Sequence, residues 1–218
     1  MLLTRKSQRG WKQRLVYSAF RVMARLTGVA CLGLRCFGRE NMPHQGAVLV
    51  CSNHQSTLDP VLLGLTFDRR LNYLARKSLF RFAPFGWLID FLDAIPIDRE
   101  GGGLAGLKEA LRRLRRGEMV LIFPEGTRSR DGEVGSLETG FCALARRGEV
   151  TLLPVGIDGA FQAWPRSAWL PSLAMIHIRV GTPIAPPTVK RFSDEMLVQE
   201  LERRIKACHA DARASRLR

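Results

Sequence analysis

The residues best suited to chemistry are a histidine and an aspartate five positions apart, His54 and Asp59, in the stretch Ser52-Asn53-His54-Gln55-Ser56-Thr57-Leu58-Asp59-Pro60. An imidazole with one nitrogen fixed by a carboxylate can use the other as a general base. Five positions along a continuous helix rotate a side chain by roughly 140°, so the two groups meet only if the chain turns between them. A strand over 47–51, a polar turn over 52–57 and a helix opening at Asp59-Pro60 would bring them together. The pair is two-thirds of a nucleophilic triad, and no Gly-x-Ser-x-Gly nucleophile elbow accompanies it. Each residue also has a plainer use. Asp followed by Pro suits the cap and first position of a helix, and His54 alone could simply fill a turn. Cys51, three residues before His54, would make a Cys-His pair, but the apolar run Ala47-Val48-Leu49-Val50 around it favours a buried, inert thiol.

Further polar blocks follow apolar runs downstream. Lys77 comes after 71–75, Asp98-Arg99-Glu100 after the short run 94–97, and Pro124-Glu125-Gly126-Thr127-Arg128-Ser129-Arg130 after Met119-Val120-Leu121-Ile122-Phe123. If these runs are neighbouring strands, the polar turns share one sheet edge with His54. Arg99, Arg128 and Arg130, with Lys77, would then supply cations suited to a phosphate or carboxylate. In isolation, residues 98–100 read equally as a surface charge cluster and 125–127 as an exposed turn.

The elements that must position these groups alternate in type. Strands are expected at 47–51, 71–75, 94–97, 119–123, 150–155 and 174–180. Helices are expected at 60–67, 77–82, 85–92, 104–116, 137–147 and from Ser193 to about His209. This alternation predicts an α/β domain with a mixed, mostly parallel central sheet flanked by helices. At 218 residues the chain suits one such domain, placed at 38–218 behind an N-terminal appendage at 1–37.

The appendage carries most of the charge asymmetry. The net charge is +14, and residues 1–39 hold nine Lys or Arg and no Asp or Glu, so an anionic partner is expected. Arg21, Arg25 and Arg35 interrupt every apolar window before it reaches the roughly 18 residues of a spanning helix. Aromatics and leucines interleaved with arginines, as at Trp11, Leu15, Tyr17 and Phe20, suit amphipathic helices in a membrane interface with anionic lipids; packing on the domain is the plainer use. Gly28 and Gly33 suggest a break between two helices. Nucleic acid is disfavoured by the lack of zinc-finger or ribonucleoprotein motifs. The five cysteines form no C-x-x-C pair, in keeping with a reduced protein on the cytoplasmic face of the cell membrane. No spacing suits a metal site.

Taken in order, Asn53-His54-x-x-x-x-Asp59, Ile97-Asp98-Arg99, Phe123-Pro124-Glu125-Gly126-Thr127-Arg128-Ser129 and Leu153-Pro154-Val155 resemble the four blocks of the glycerolipid acyltransferase family. Within it, the resemblance is strongest to bacterial 1-acyl-glycerol-3-phosphate acyltransferases and spans about 38–185. It implies that the histidine matching His54 deprotonates a glycerol hydroxyl, which attacks an acyl thioester directly, and that the aspartate matching Asp59 orients it. It also implies that the positions matching Lys77, Arg99, Glu125, Gly126, Thr127 and Arg128 hold the acceptor's phosphoglycerol head. No cofactor is implied; acyl-CoA or acyl carrier protein would be the co-substrate, and a lysophospholipid the acceptor. Where relatives often carry Lys-x-Gly after the third block, this chain has Leu137-Glu138-Thr139-Gly140, which removes one cation. A different lysophospholipid or lipid amine or alcohol as acceptor, and a non-catalytic lipid-binding module, are the alternative readings.

Overall fold

The computed structural model describes residues 22–23, 26, 28–76, 95–97 and 104–218. Among the described residues seven strands form one sheet: β1 (Arg35–Phe37), β2 (Val48–Ser52), β3 (Leu71–Arg76), β4 (Ile95–Ile97), β5 (Met119–Ile122), β6 (Thr151–Asp158) and β7 (His177–Val180), in the order β1-β7-β6-β2-β5-β3-β4. All neighbours are parallel except β6 and β7. The helices are α1 (Asp59–Thr66), α2 (Leu104–Arg115), α3 (Gly140–Gly148), α4 (Ala160–Ala163), α5 (Pro186–Arg191) and α6 (Asp194–Arg216).

The central strand β5 is apolar throughout, and β2 is apolar up to Ser52, because both faces of the sheet are covered there. In β2, Val48 and Val50 join the cluster that includes Leu62 and Leu63 of α1, while Leu49 and Cys51 join the cluster with α2, α3 and α6. This is the period-two alternation of a strand, here with apolar residues on either side. Each fully buried leucine, such as Leu49 or Leu121, contributes about 1.5–3 kcal/mol. On β6, Gly156 lets α6 lie against the backbone: a Cβ there would stand 2.2 Å from the amide nitrogen of His209. Ser193 caps α6 by accepting a hydrogen bond from the Met196 amide at 3.2 Å.

The expected α/β architecture is present, with local corrections. The sheet begins at Arg35, ahead of the expected boundary at 38: the three-residue edge strand β1 pairs with β7 and is too short to show a periodicity. Strand β7 starts at His177 rather than 174, and α3 at Gly140 rather than 137. Helix α6 runs past His209 to Arg216, its last turns held by ion pairs from Arg213 and Arg216 to Asp158. Residues 28–32 are helical, so Gly28 lies within a helical run, and Gly33, at φ 50°, follows its end. The helices expected at 77–82 and 85–92, and most of the N-terminal segment, lie outside the described residues. Among the described residues no helix is long and apolar enough to cross a membrane.

Candidate active site

The carboxyl ends of the parallel strands β2, β5, β3 and β4 share one edge of the sheet, where α/β proteins carry their ligands. Strand β2 ends at Ser52, and its pairing with β6 is prolonged one step by a side chain. The Asn53 amide donates to the carbonyl of Ile157 (2.9 Å) and accepts from its N–H (2.8 Å). The chain then leaves the sheet and turns through His54–Leu58 into α1.

Within that turn, His54 Nδ1 lies 2.8 Å from Asp59 Oδ2. The same oxygen accepts from the backbone N–H groups of Gln55 (2.6 Å) and Ser56 (2.7 Å), and Asp59 is fully buried. The aspartate therefore does not cap its own helix. Its carboxylate turns back onto the amides of the preceding loop, and Leu58 stands at the cap position with no side-chain bond. Asp59 Oδ1 is buried and has no hydrogen-bond partner among the described residues. An ionised carboxylate can only accept, so Nδ1 carries the proton and Nε2 presents its lone pair. The His54 side chain is 18% exposed, and Nε2 has no hydrogen-bond partner among the described residues.

The loop after β5 fixes His54 from the other side. The imidazole stacks on Phe123, with centroids 3.9 Å apart and planes at 15°. The His54 N–H donates to Glu125 Oε1 (2.7 Å), and the His54 carbonyl accepts from the Ser129 N–H (2.7 Å). Glu125 Oε2 accepts from the Gly135 N–H (3.0 Å), so both carboxylate oxygens are engaged by backbone. Burial pushes the Glu125 carboxyl above its ordinary value, against the opposing effect of the two amides. Gly126 makes the turn at φ 67°, a conformation glycine adopts without strain, and its N–H donates to the Phe123 carbonyl. Arg128 Nη1 donates to Thr57 Oγ1 (2.6 Å), tying the two loops together, and Thr127 is exposed. The Glu138 N–H donates to the Pro124 carbonyl, setting an exposed carboxylate where a lysine would bring positive charge.

Of the residues expected to act together, the structure thus assembles His54, Asp59, Glu125, Gly126, Thr127 and Arg128 on one edge. Lys77 and Arg99 lie outside the described residues; β3 and β4, which they follow, run parallel to β5 toward that edge. Cys51 is fully buried, and that burial raises its thiol well above the ordinary value, which removes it as a nucleophile. All five cysteines are free, and no group of potential metal ligands occurs among the described residues.

A supporting layer escaped the sequence reading. Gln55 donates to the Gly132 carbonyl (2.6 Å), accepts from the Phe161 N–H (3.3 Å) and stands 3.1 Å from His209 Nε2 on α6. Asp158, fully buried at the end of β6, receives His209, Arg213 and Arg216. Burial pushes its carboxyl up, but the hydrogen bonds from these three residues outweigh that and hold it well below the usual range. The one sequence signal for this cluster was a charged residue ending an otherwise apolar strand.

The model of the Acyltransferase family matches residues 33–158, more than half of the chain and all of the His54 and Glu125 machinery. The chain belongs to the acyltransferase family. It is 30% identical over 143 residues to the 1-acyl-sn-glycerol-3-phosphate acyltransferase of Bacillus subtilis, covering 65% of this chain and 69% of that protein. It is 35% identical over 148 residues to the enzyme of the same name from Pseudomonas aeruginosa, covering 66% of this chain and 56% of that one. Among solved structures it resembles the 1-acyl-sn-glycerophosphate (LPA) acyltransferase of Thermotoga maritima, with a TM-score of 0.80, 26% identity and coverage of 95% and 85%. That likeness extends over nearly the whole chain, well past the family match at 158.

Proposed function

We propose that this acyltransferase moves a fatty acyl group from an acyl thioester to the free glycerol hydroxyl of lysophosphatidate, giving phosphatidate, at a membrane surface. The observation that carries the reading is the His54 Nδ1 to Asp59 Oδ2 contact at 2.8 Å, with Asp59 itself anchored by two backbone amides. A base so oriented, with no serine or cysteine hydrogen-bonded to its imidazole among the described residues, suits a reaction in which the attacking oxygen belongs to the substrate. Relatives at 30% and 35% identity bear the corresponding name.

His54 Nε2 takes the proton of the acceptor hydroxyl as its oxygen attacks the thioester carbonyl. The tetrahedral intermediate collapses with cleavage of the carbon–sulfur bond, and the departing thiolate is protonated by the imidazolium, returning His54 to its starting state. Asp59 keeps the proton on Nδ1 and stabilises the imidazolium. Glu125, with both oxygens on backbone amides, holds the His54 loop in place and has a positioning role in place of the acceptor contact implied by the resemblance. Lys77, Arg99 and Arg128 supply cations for the acceptor phosphate. The donor is acyl-CoA or acyl carrier protein.

The test offers purified protein a long-chain acyl thioester with a panel of lysolipids and follows free thiol. Thiol release should depend on lysophosphatidate and fall by about a hundredfold or more in His54→Ala, the scale of a lost general base. Release without any acceptor would make the protein a thioesterase, and no release with any acceptor would favour a binding module.

A further inference from the structure

Large exposed apolar side chains are concentrated on two segments. All those found among the described residues except Met196 and Leu217 lie either on the helical residues before Gly33 or on the connection between α4 and β7. In that connection Trp169 is 95% and Leu173 81% exposed, with Leu170 and Met175 also standing in solvent. These residues are presented by an ordered excursion. The Ser172 N–H donates to the Ala163 carbonyl at 2.7 Å, closing the loop at its base, and Trp164 Nε1 donates to the Ala168 carbonyl at 3.1 Å, folding it internally.

The two segments touch. The Ile176 N–H donates to the Leu32 carbonyl at 2.9 Å, and a Cβ on Gly33 would stand 3.2 Å from Met175 Cγ. The excursion is also tied to the catalytic turn, because Ser56 Oγ donates to the Trp164 carbonyl at 2.8 Å. Charge follows the same division. Residues 1–39 contain no Asp or Glu, and neither does the excursion at 164–176, which carries Arg166. The described end of the first stretch, at Leu32 and Gly33, therefore meets the second where apolar side chains are left uncovered. A protein partner would have to match an irregular loop tip. An anionic lipid interface accepts a tryptophan, leucines and neighbouring arginines without shape complementarity.

We propose that the loop at 164–175 is a membrane-docking element that inserts Trp169, Leu170 and Leu173 into an anionic lipid surface beside the N-terminal helix. Its bond to Ser56 then holds the His54 turn next to that surface. The inference rests on the proposed function only for its purpose; docking itself requires no turnover.

The experiment uses the full chain and its Trp169→Ser/Leu170→Ser/Leu173→Ser variant. Partitioning is measured onto vesicles of mixed phosphatidylglycerol and phosphatidylcholine and onto phosphatidylcholine alone. The triple variant should bind the mixed vesicles about tenfold more weakly or worse, given the apolar area withdrawn from the interface. Brominated lipid should quench tryptophan fluorescence in the parent more than in Trp169→Phe. Thiol release should fall with vesicle-embedded acceptor and hold with a short-chain acceptor dispersed in solution. Unchanged partitioning of the triple variant overturns the proposal, as does equal loss of turnover on both acceptor presentations. Self-association of the parent that the triple variant abolishes, with partitioning unchanged, would assign the patch to a second copy and also overturn it. A parent inactive on every acceptor but docking through this loop would refute the proposed function and leave this inference standing.

Discussion

Replacing Asp59 by Asn separates its electrostatic contribution from its place in the turn. The Gln55 and Ser56 amides, at 2.6 and 2.7 Å, require an acceptor at the Oδ2 position, so the Asn carbonyl oxygen goes there and its NH2 takes the Oδ1 position. That position is buried without a partner, and an unsatisfied donor costs about 1–3 kcal/mol of stability. The imidazolium formed during proton transfer loses its counter-charge. With charge centres about 4 Å apart and an effective dielectric near 20, the lost attraction is about 4 kcal/mol, equivalent to roughly a thousandfold in kcat. The Asn carbonyl dipole recovers part of this, so the expected fall is about a hundredfold to a thousandfold. The assay is thiol release at saturating donor and acceptor, with thermal melting to establish that the variant is folded. In the double variant with His54→Ala, Asp59→Asn should add almost nothing, because Asp59 acts through the histidine. A folded Asp59→Asn enzyme within about threefold of the parent, or a double variant slowed by the full product of the two effects, would refute the reasoning.

Glu125→Gln places an amide NH2 against one of the two backbone N–H groups that the carboxylate now accepts. Losing a charge-assisted bond of about 1.5–3 kcal/mol should lower kcat by about tenfold to a hundredfold with the acceptor KM nearly unchanged. A raised acceptor KM at constant kcat, in titrations of lysophosphatidate, would return Glu125 to direct acceptor binding. For Asp158, the folded carboxyl lies below its ordinary value, so its stabilising contribution is present above the usual aspartate range and is lost as pH falls through the depressed folded value. The gap in melting temperature between parent and Asp158→Asn should therefore be steady above about pH 4 and shrink below it; a gap unchanged down to about pH 2 would count against the clamp by His209, Arg213 and Arg216.

The sequence alone determined the strand pattern and the chemistry-bearing turn. Unbroken apolar runs such as residues 119–122 are what a two-sided sheet requires, and His54 with Asp59 could meet only across a turn, so type and spacing were sufficient. The same text could not decide whether Asp59 caps a helix or orients a histidine. That depends on which amides the carboxylate faces, and the turn gives it those of Gln55 and Ser56, not those of α1. Nor could it indicate that Glu125 faces inward onto the His54 backbone, since the strand ends that bring them together are 71 residues apart in the chain. The clamp on Asp158 and the Gln55 link to His209 were hidden for the same reason. They join β6 and the catalytic turn to α6 across distances at which local periodicity carries no information, and only the packing of α6 onto Gly156 brings the partners within reach.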